Sequence, residues 1–194
     1  MRVGNARHTT RGRRGLVRTP VAPVDGRPTR LIVRTGPIVI GFDGTPEGEH
    51  AVREAGDLLK AREAIVAVVW KQGLAFELME LPAATIGLPP APVDVRTALE
   101  IDQQLFERAQ RLAEQGAQLA RDVGLEAEPL AVAEDPDVSI AETLIRLANE
   151  RDSQAIVVAP HRHGHRGPLV LGSTSRDVVR RAACPVVMAT GNGD

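Results

Sequence analysis

Residues 37–64, PIVIGFDGTPEGEHAVREAGDLLKAREA, join two patterns that belong to different secondary structures. The first seven residues are an apolar run that ends at Asp43 and Gly44, which is typical of a strand buried on both faces. Thr45 is then a candidate N-cap, and Pro46 suits the first helical position. A helical stripe of apolar residues follows: Ala51, Val52, Ala55, Leu58 and Leu59. The stretch therefore predicts a buried strand, a turn and a helix that lies on a sheet.

The same alternation of strand and helix continues to the end of the chain. Further apolar strands are predicted at 64–70, 126–134, 154–160 and 184–190. Helical patterns run from about residue 98 to 123, from a cap at Asp137 or Ser139, and from Ser173. Pro129 favours a sheet edge for the strand that contains it, because proline donates no hydrogen bond. This pattern predicts an α/β fold with an open five-stranded parallel sheet covered by helices on both faces.

The charge distribution separates an arginine-rich leader from the rest of the chain. Residues 1–36 carry nine arginines against Asp25 alone, and the remaining residues hold 15 basic and 24 acidic side chains. A basic arm can contact nucleic acid, but this one lacks the aromatics that stack on bases and has no apolar period. We therefore expect a disordered leader at 1–36 without a nucleic-acid partner, a folded domain at 37–191, and a tail at 192–194.

Composition excludes several classes of protein. Apolar residues make up 43% of the 194 residues, and Cys184 is the only cysteine, so neither a disulfide framework nor a cysteine-rich metal site is expected. No apolar run approaches the roughly 18 residues that span a bilayer, and no secretory h-region is present. The expected location is the cytoplasm, without membrane contact. The proline-rich residues 71–98 predict a long loop that could act as a lid or a binding element.

Polar residues at two strand ends indicate where a ligand would bind. In an open parallel sheet, ligands bind beyond the carboxyl ends of the strands, where the strand order reverses. Asp43 follows the first strand, and Gly172 and Ser173 begin the last helix. If the first and fourth strands are neighbours, these residues line one crevice, with a helix N-terminus that favours an anion and a hydroxyl that can donate to phosphate. A carboxylate at the other end suits a sugar or the amino edge of a base.

Two segments resemble the universal stress protein family. IVIGFDGTPEGEHAVREA, at 38–55, looks like that family's opening strand, Asp-Gly-Ser/Thr turn and helix. VVAPHRHGHRGPLVLGSTSRDVVRRAACPVVMA, at 157–189, is similar to its closing module of loop, Gly-Ser, helix and Cys-Pro-Val strand. The resemblance covers residues 37–190 and implies a Rossmann-like (HUP-like) sheet with strand order 3-2-1-4-5. It also implies a homodimer paired through the last strand, 185–190.

The resemblance also implies a set of nucleotide-binding residues. Family members that bind nucleotides carry Gly, two residues, Gly, nine residues and then Gly-Ser/Thr. Counted back from Gly172 and Ser173, the two earlier glycines fall on Ala159 and Arg162. Arginine cannot adopt positive φ cheaply, but it could supply a cationic contact to phosphate. The full set that the resemblance implies is Asp43 and Val69 on the adenine side, Ala159 and Arg162 in the altered loop, and Gly172, Ser173 and Thr174 at the phosphates.

The histidine-rich loop, APHRHGHRGPLVLGSTS at 159–175, allows other chemistry to be considered. A zinc site needs three or four converging ligands, and the loop offers three histidines without a nearby carboxylate or cysteine, so no metal site is expected. Neither a Gly-x-Ser-x-Gly elbow nor a Walker Gly-Lys-Ser/Thr is present, and Ser173 is explained as a cap or phosphate donor. We therefore expect no catalytic residue, with slow ATP hydrolysis left open.

Two functional hypotheses follow from the sequence. The first is a non-enzymatic module of the stress response that binds ATP, AMP or another adenine nucleotide, with magnesium as a possible companion. The second is the same fold with nucleotide binding lost through Arg162, so that it acts as a dimeric protein-interaction module. Both fit the sequence, and both leave the protein partners unidentified.

Overall fold

The structure is a computed structural model that describes residues 34–59, 62–74, 76, 95–135, 137–162, 169–170 and 172–189, with backbone alone at 161–162 and 169–170. Its helices are α1 (Pro46–Leu58), α2 (Val95–Asp122), α3 (Ile140–Glu150) and α4 (Ser173–Arg181). Its strands are β1 (Ile38–Gly41), β2 (Glu63–Lys71), β3 (Glu126–Glu134), β4 (Ile156–Val158), β5 (His161–Arg162), β6 (Leu169–Val170) and β7 (Val186–Met188). The predicted leader at 1–36 lies outside the described residues except for 34–36, as does the tail at 192–194.

Five strands form one parallel sheet in the order β3-β2-β1-β4-β7, and β5 pairs with β6 in a separate antiparallel hairpin. Because β7 is the fifth strand of the main sheet, this is the predicted order 3-2-1-4-5, and the α/β prediction is confirmed. β3 lies at one edge, so Pro129 stands where its missing N–H costs little.

Of the described helices, two cover each face of the sheet. On one face, Ile38, Ile40 and Val66 of the sheet pack against alanines and valines of α1 and α2. On the other face, Val39, Ile65 and Ile156 pack against residues of α3 and against Val178 of α4. The three central apolar residues of β1 are fully buried, as expected for a strand with helices on both sides.

Helix α1 begins as its sequence predicts. The Thr45 hydroxyl oxygen accepts a hydrogen bond from the N–H of Gly48 at 3.1 Å, and Pro46 occupies the first helical turn. In α3, Ser139 is the N-cap and accepts from the N–H of Glu142 at 3.2 Å, which decides between the two predicted caps. Both serine/threonine caps satisfy first-turn N–H groups that lack an intrahelical partner.

Helix α2 is longer at its start than the sequence pattern indicates. It begins at Val95, whereas the apolar stripe predicts a start near Ala98, because Val95 and Leu99 are exposed and add nothing to that stripe. The loop predicted at 71–98 is therefore shorter: β2 extends to Lys71, and residues 77–94 lie outside the described part of the chain. The helix ends at Asp122, and Gly124 takes a φ of +88° beyond it.

The chain already contacts the folded domain before β1. Gly36 forms a parallel bridge with Ser153, and the side-chain amide of Gln154 donates to the carbonyl of Gly36 at 2.8 Å. The guanidinium of Arg34 donates to the side-chain oxygen of Asn149 at 3.1 Å. Among the described residues, no helix is both long enough and apolar enough to cross a membrane.

Candidate functional site

The candidate site lies where the strand order of the sheet reverses. β1 and β4 are parallel neighbours, with Val39 opposite Ile156 and Ile40 opposite Val157. From β1 the chain continues to β2 on one side, and from β4 it continues to β7 on the other. The carboxyl ends of these two strands therefore flank a crevice, which is where ligands bind in open parallel sheets. Asp43 follows β1 in this position, and Ala159 follows β4.

The Asp43 carboxylate is tied to the start of α1 through one of its two oxygens. Its Oδ1 accepts from the N–H of Thr45 at 3.0 Å and from the hydroxyl of Thr45 at 2.6 Å. The side chain is exposed, and Gly44 turns the chain with a φ of +75°, a conformation that favours glycine. Asp43 thus supports the α1 turn through Oδ1, and its exposed carboxylate has a second oxygen that can accept a hydrogen bond.

Val69 lies on β2, the strand next to β1, and comes after the last residue of β2 that pairs with β1. The last β1–β2 pair is Gly41 with Ala67, and the N–H of Phe42 donates to the carbonyl of Ala67 at 2.9 Å, so Asp43 and Val69 each come two residues after that pair. The Val69 side chain is half-buried against the α3 face. The resemblance assigns the base side of a nucleotide to Asp43 and Val69, and both lie toward the carboxyl ends of the neighbouring strands β1 and β2.

The end of β2 and the turn after it make two contacts with α2, one between aromatic rings and one hydrogen bond. The Trp70 ring contacts Phe106 of α2 at a centroid distance of 5.6 Å. One turn earlier on α2, Asp102 Oδ2 accepts from the N–H of Gly73 at 2.9 Å. A lone tryptophan and a helix aspartate give no sequence signal for this contact, because it depends on how α2 crosses the strand end.

The other side of the crevice is the start of α4. Gly172 is the N-cap and contributes no side-chain hydrogen bond, Ser173 is exposed, and Thr174 is half-buried. The first intrahelical bond runs from the N–H of Arg176 to the carbonyl of Gly172 at 3.0 Å, so the N–H groups of residues 173–175 have no intrahelical acceptor. Their partial positive charge adds to that of the helix dipole and favours an anion.

A side chain that the sequence analysis missed joins this helix to β4. The hydroxyl of Ser175 donates to the carbonyl of Ala159 at 2.7 Å, although the two residues are 16 positions apart. Ser175 is 4% exposed, and the neighbouring Pro160 is fully buried. The structure therefore brings Ala159 together with the group Gly172, Ser173 and Thr174. Serine is common in first helical turns, so only the fold reveals this bond.

Arg162 lies in β5, opposite Leu169 of β6 in the small antiparallel hairpin. An arginine adopts strand backbone without strain, so the positive φ that glycine would allow is not required here. The rest of the predicted histidine-rich loop, with His163, His165 and Arg166, lies outside the described residues. The described residues hold no cluster of three or more histidine, cysteine or carboxylate side chains suited to a metal ion.

Cys184 precedes β7 and is buried at 8% exposure. Burial raises the pKa of its thiol, while the charge of Arg34 acts weakly in the opposite direction. A thiol held in its neutral form is a poor nucleophile, which agrees with a structural role for this residue.

A doubly wound, five-stranded α/β domain with this strand order belongs to the class of Rossmann-like α/β domains. Comparison with known families assigns it more closely. Residues 87–190 match the model of the Universal stress protein family, and the chain belongs to that family.

A curated relative supports this assignment. A universal stress protein of Mycolicibacterium smegmatis (strain ATCC 700084 / mc(2)155) is 31% identical over 156 residues, which cover 80% of this chain and 48% of the relative. The chain thus spans about half the length of the curated relative that it matches.

Solved structures share the fold at low sequence identity. The hypothetical protein MJ0577 has a TM-score of 0.60 and 19% identity, covering 84% of this chain and 100% of that protein. The universal stress protein UspA from Lactobacillus plantarum has a TM-score of 0.56 and 16% identity, covering 81% and 99%.

Proposed function

We propose that this protein is a non-enzymatic module of the stress response that binds an adenine nucleotide. Two features at the β1–β4 switch point carry the proposal: Asp43 follows β1, and the first turn of α4, which has a glycine N-cap, is hydrogen-bonded to the residue that follows β4. The N–H groups at the N-terminus of α4 carry partial positive charge and suit a phosphate group. The carboxylate of Asp43 suits the hydroxyl or amino groups at the other end of the same ligand.

In this function each group has a distinct role. The N–H groups of residues 173–175 and the exposed Ser173 hydroxyl would bind phosphate oxygens. Asp43 would accept from the ribose or from the amino edge of adenine through its second oxygen, and the backbone near Val69 would lie against the base. Arg162 would supply a cationic contact from the hairpin, and magnesium would accompany ATP at the phosphates.

Other family members show which nucleotides this fold can hold. Universal stress proteins have been solved in complex with dAMP and with cAMP, and these share 20% and 21% identity with this chain at TM-scores of 0.49 and 0.47. Likeness of that degree says nothing about individual contacts. The choice of an adenine nucleotide here therefore depends on family membership and on the chemistry of the crevice.

We propose no catalytic residue. Asp43 and Ser173 are explained by the α1 turn and by the start of α4, without a reaction. Binding would instead adjust a surface that other molecules contact. The edge strand β7 is one such surface, since it pairs only with β4 among the described strands, and we propose that two copies of the chain pair through it.

A second candidate is a dimeric interaction protein that has lost nucleotide binding. It is favoured by Arg162 and Ala159 at the positions where binding members carry glycine, and by the packing of Ala159 against the buried core. In that case the crevice would be closed by side chains, and only the β7 edge would carry the function.

Arg162→Gly separates the two candidates, with Arg162→Gln as a control that removes the charge but keeps a side chain. If the protein binds nucleotide as it stands, calorimetry with magnesium and ATP gives micromolar binding to wild type, and Arg162→Gln weakens it because the cationic contact to phosphate is lost. If binding has been lost, the wild-type protein and Arg162→Gln give no heat, and Arg162→Gly alone or with Ala159→Gly creates affinity. The second result would contradict the proposed function.

A further inference from the structure

Ser175 is the residue that connects the two sides of the altered loop. Its hydroxyl donates to the carbonyl of Ala159 at 2.7 Å, and the residue is 4% exposed. Ala159 directly follows β4, and Ser175 is the third residue of α4. The bond therefore joins the end of a central strand to the first turn of the helix whose N–H groups face the crevice.

The geometry of α4 makes this bond the fixing point of its first turn. Val178, three residues later on the same face, is fully buried and anchors the second turn in the core. The first turn has a glycine N-cap and no side-chain capping bond. The Ser175 hydroxyl gives that turn a buried side-chain bond to the end of β4.

Small displacements of this turn would matter for an anion. Hydrogen bonds from backbone N–H groups to oxygen form between about 2.7 and 3.2 Å, so a shift of roughly one ångström is enough to break them. A fixed first turn keeps the donors aligned before the anion arrives. The free energy needed to order these N–H donors is then not subtracted from the free energy of anion binding.

We infer that Ser175 is a positioning residue for the anion-binding end of the crevice, an inference that rests on the proposed nucleotide-binding function. The bond uses a backbone carbonyl of Ala159, which any residue at that position supplies. The position of α4 relative to β4 therefore does not depend on glycine at 159 or 162. This explains how the chain can depart from the family's glycine pattern while keeping the helix end in place.

The test compares Ser175→Ala with Ser175→Thr, which keeps a hydroxyl, and with Ser153→Ala. Ser153 is a matched control because it is fully buried and its hydroxyl has no hydrogen-bond partner among the described residues. Magnesium-ATP and adenosine are titrated into each variant by calorimetry. Amide hydrogen exchange of residues 176–178 is followed in the absence of nucleotide, because their N–H groups bond back into the first turn.

We expect Ser175→Ala to weaken ATP binding about tenfold and adenosine binding less than about twofold, because the bond acts on the phosphate end. Exchange at residues 176–178 should accelerate in this variant, while Ser175→Thr and Ser153→Ala should stay close to wild type. Equal loss of ATP and adenosine affinity would indicate general damage to packing and would overturn the inference. Unchanged ATP affinity in Ser175→Ala would overturn it as well.

Failure of the proposed function is distinguishable from failure of this inference. If wild-type protein binds neither ATP nor adenosine, the nucleotide function is wrong, and the exchange measurement still decides whether Ser175 fixes the helix. Faster exchange confined to the first turn of α4 in Ser175→Ala would support the positioning role. Exchange identical to that of Ser153→Ala would overturn it.

Discussion

Asp43 performs a structural task with the same carboxylate that the site would use. One oxygen holds the N–H and the hydroxyl of Thr45 at the start of α1. A Cβ added at Gly48 would lie 2.6 Å from that oxygen, so the turn is closely packed around it. Removal of the whole side chain would therefore disturb both the fold and the crevice, and a subtler substitution is needed to separate them.

Asp43→Asn and Asp43→Ala should have different effects on stability. The alanine variant removes the acceptor for Thr45 and should lower the free energy of unfolding by about 1 kcal/mol. Asparagine keeps one carbonyl oxygen for Thr45, so the free energy of unfolding measured with urea should fall by less than about half of the loss in the alanine variant. Equal losses in the two variants would contradict the turn geometry, because both variants remove the negative charge and only alanine removes the acceptor for Thr45.

Burial of the Cys184 thiol predicts a dependence of stability on pH. Burial raises the pKa of this group above its ordinary value, so the folded state holds the proton more tightly than the unfolded chain does. The contribution of the Cys184 thiol to the free energy of unfolding is therefore constant below the pKa of the unfolded chain, about 8.5, and decreases as the pH rises above that value. Between about pH 7 and about pH 9.5, the free energy of unfolding measured with urea should decrease less in Cys184→Ala than in wild type. An identical pH dependence in both proteins would contradict the burial of a neutral thiol.

At the scale of elements, α2 is held close to the sheet by small residues. Its buried face consists of alanines and one glycine: Ala98, Ala109, Ala113, Gly116, Ala117 and Ala120. A Cβ at Gly116 would lie 2.6 Å from a ring carbon of Phe42 and 2.8 Å from a methyl of Val66. Those distances are too short for real contacts, so the helix can approach the sheet closely because this residue is glycine.

Gly116→Ala should destabilise the protein although alanine favours helix. The gain in helix propensity is about 1 kcal/mol, whereas overpacking costs roughly 1–3 kcal/mol. Thermal unfolding should show a Tm lower by a few degrees, at about 2–4 °C for each kcal/mol lost in a chain of this size. Gln110→Ala on the exposed face of α2 should leave the Tm nearly unchanged, and a higher Tm for Gly116→Ala would contradict the close packing.

Helices and strands could be predicted where a few neighbouring residues determine them. The apolar runs of β1, β2 and β3 and the caps at Thr45 and Ser139 could be identified because strand burial and capping act over a few neighbouring residues. The start of α2 was placed three residues late, since Val95 and Leu99 are exposed and lie outside the buried stripe. The hairpin of β5 and β6 was not predicted, because each of its strands has two residues and too short a pattern.

At the scale of the whole molecule, the strand order came from family resemblance, because the residues alone predict strands without predicting their neighbours. The crevice depended on β1 and β4 lying side by side, and the sheet confirms that arrangement. Two contacts near the strand ends, from Ser175 to Ala159 and from Asp102 to Gly73, join residues 16 and 29 positions apart. No local pattern marks such pairs, so they became apparent only in the folded chain.

The proposed dimer predicts the effect of a proline in β7. The carbonyl of Pro185 accepts from the N–H of Ile156 at 3.0 Å, so in the alternation along the strand the N–H of Met188 points away from β4. Met188→Pro would remove a donor from the free edge and none from the sheet. Light scattering after gel filtration should give a dimer for wild type and for Met188→Leu, and a folded monomer for Met188→Pro. A dimer in all three proteins would contradict pairing through β7.

The most direct test of the central claim is a calorimetric titration of magnesium-ATP into the wild-type protein, with Asp43→Asn measured alongside. The account predicts micromolar binding to wild type and a loss of about tenfold or more in the variant, because the second carboxylate oxygen becomes an amide donor. Absence of heat at millimolar ATP, from wild-type protein shown to be folded, would contradict nucleotide binding at the β1–β4 crevice.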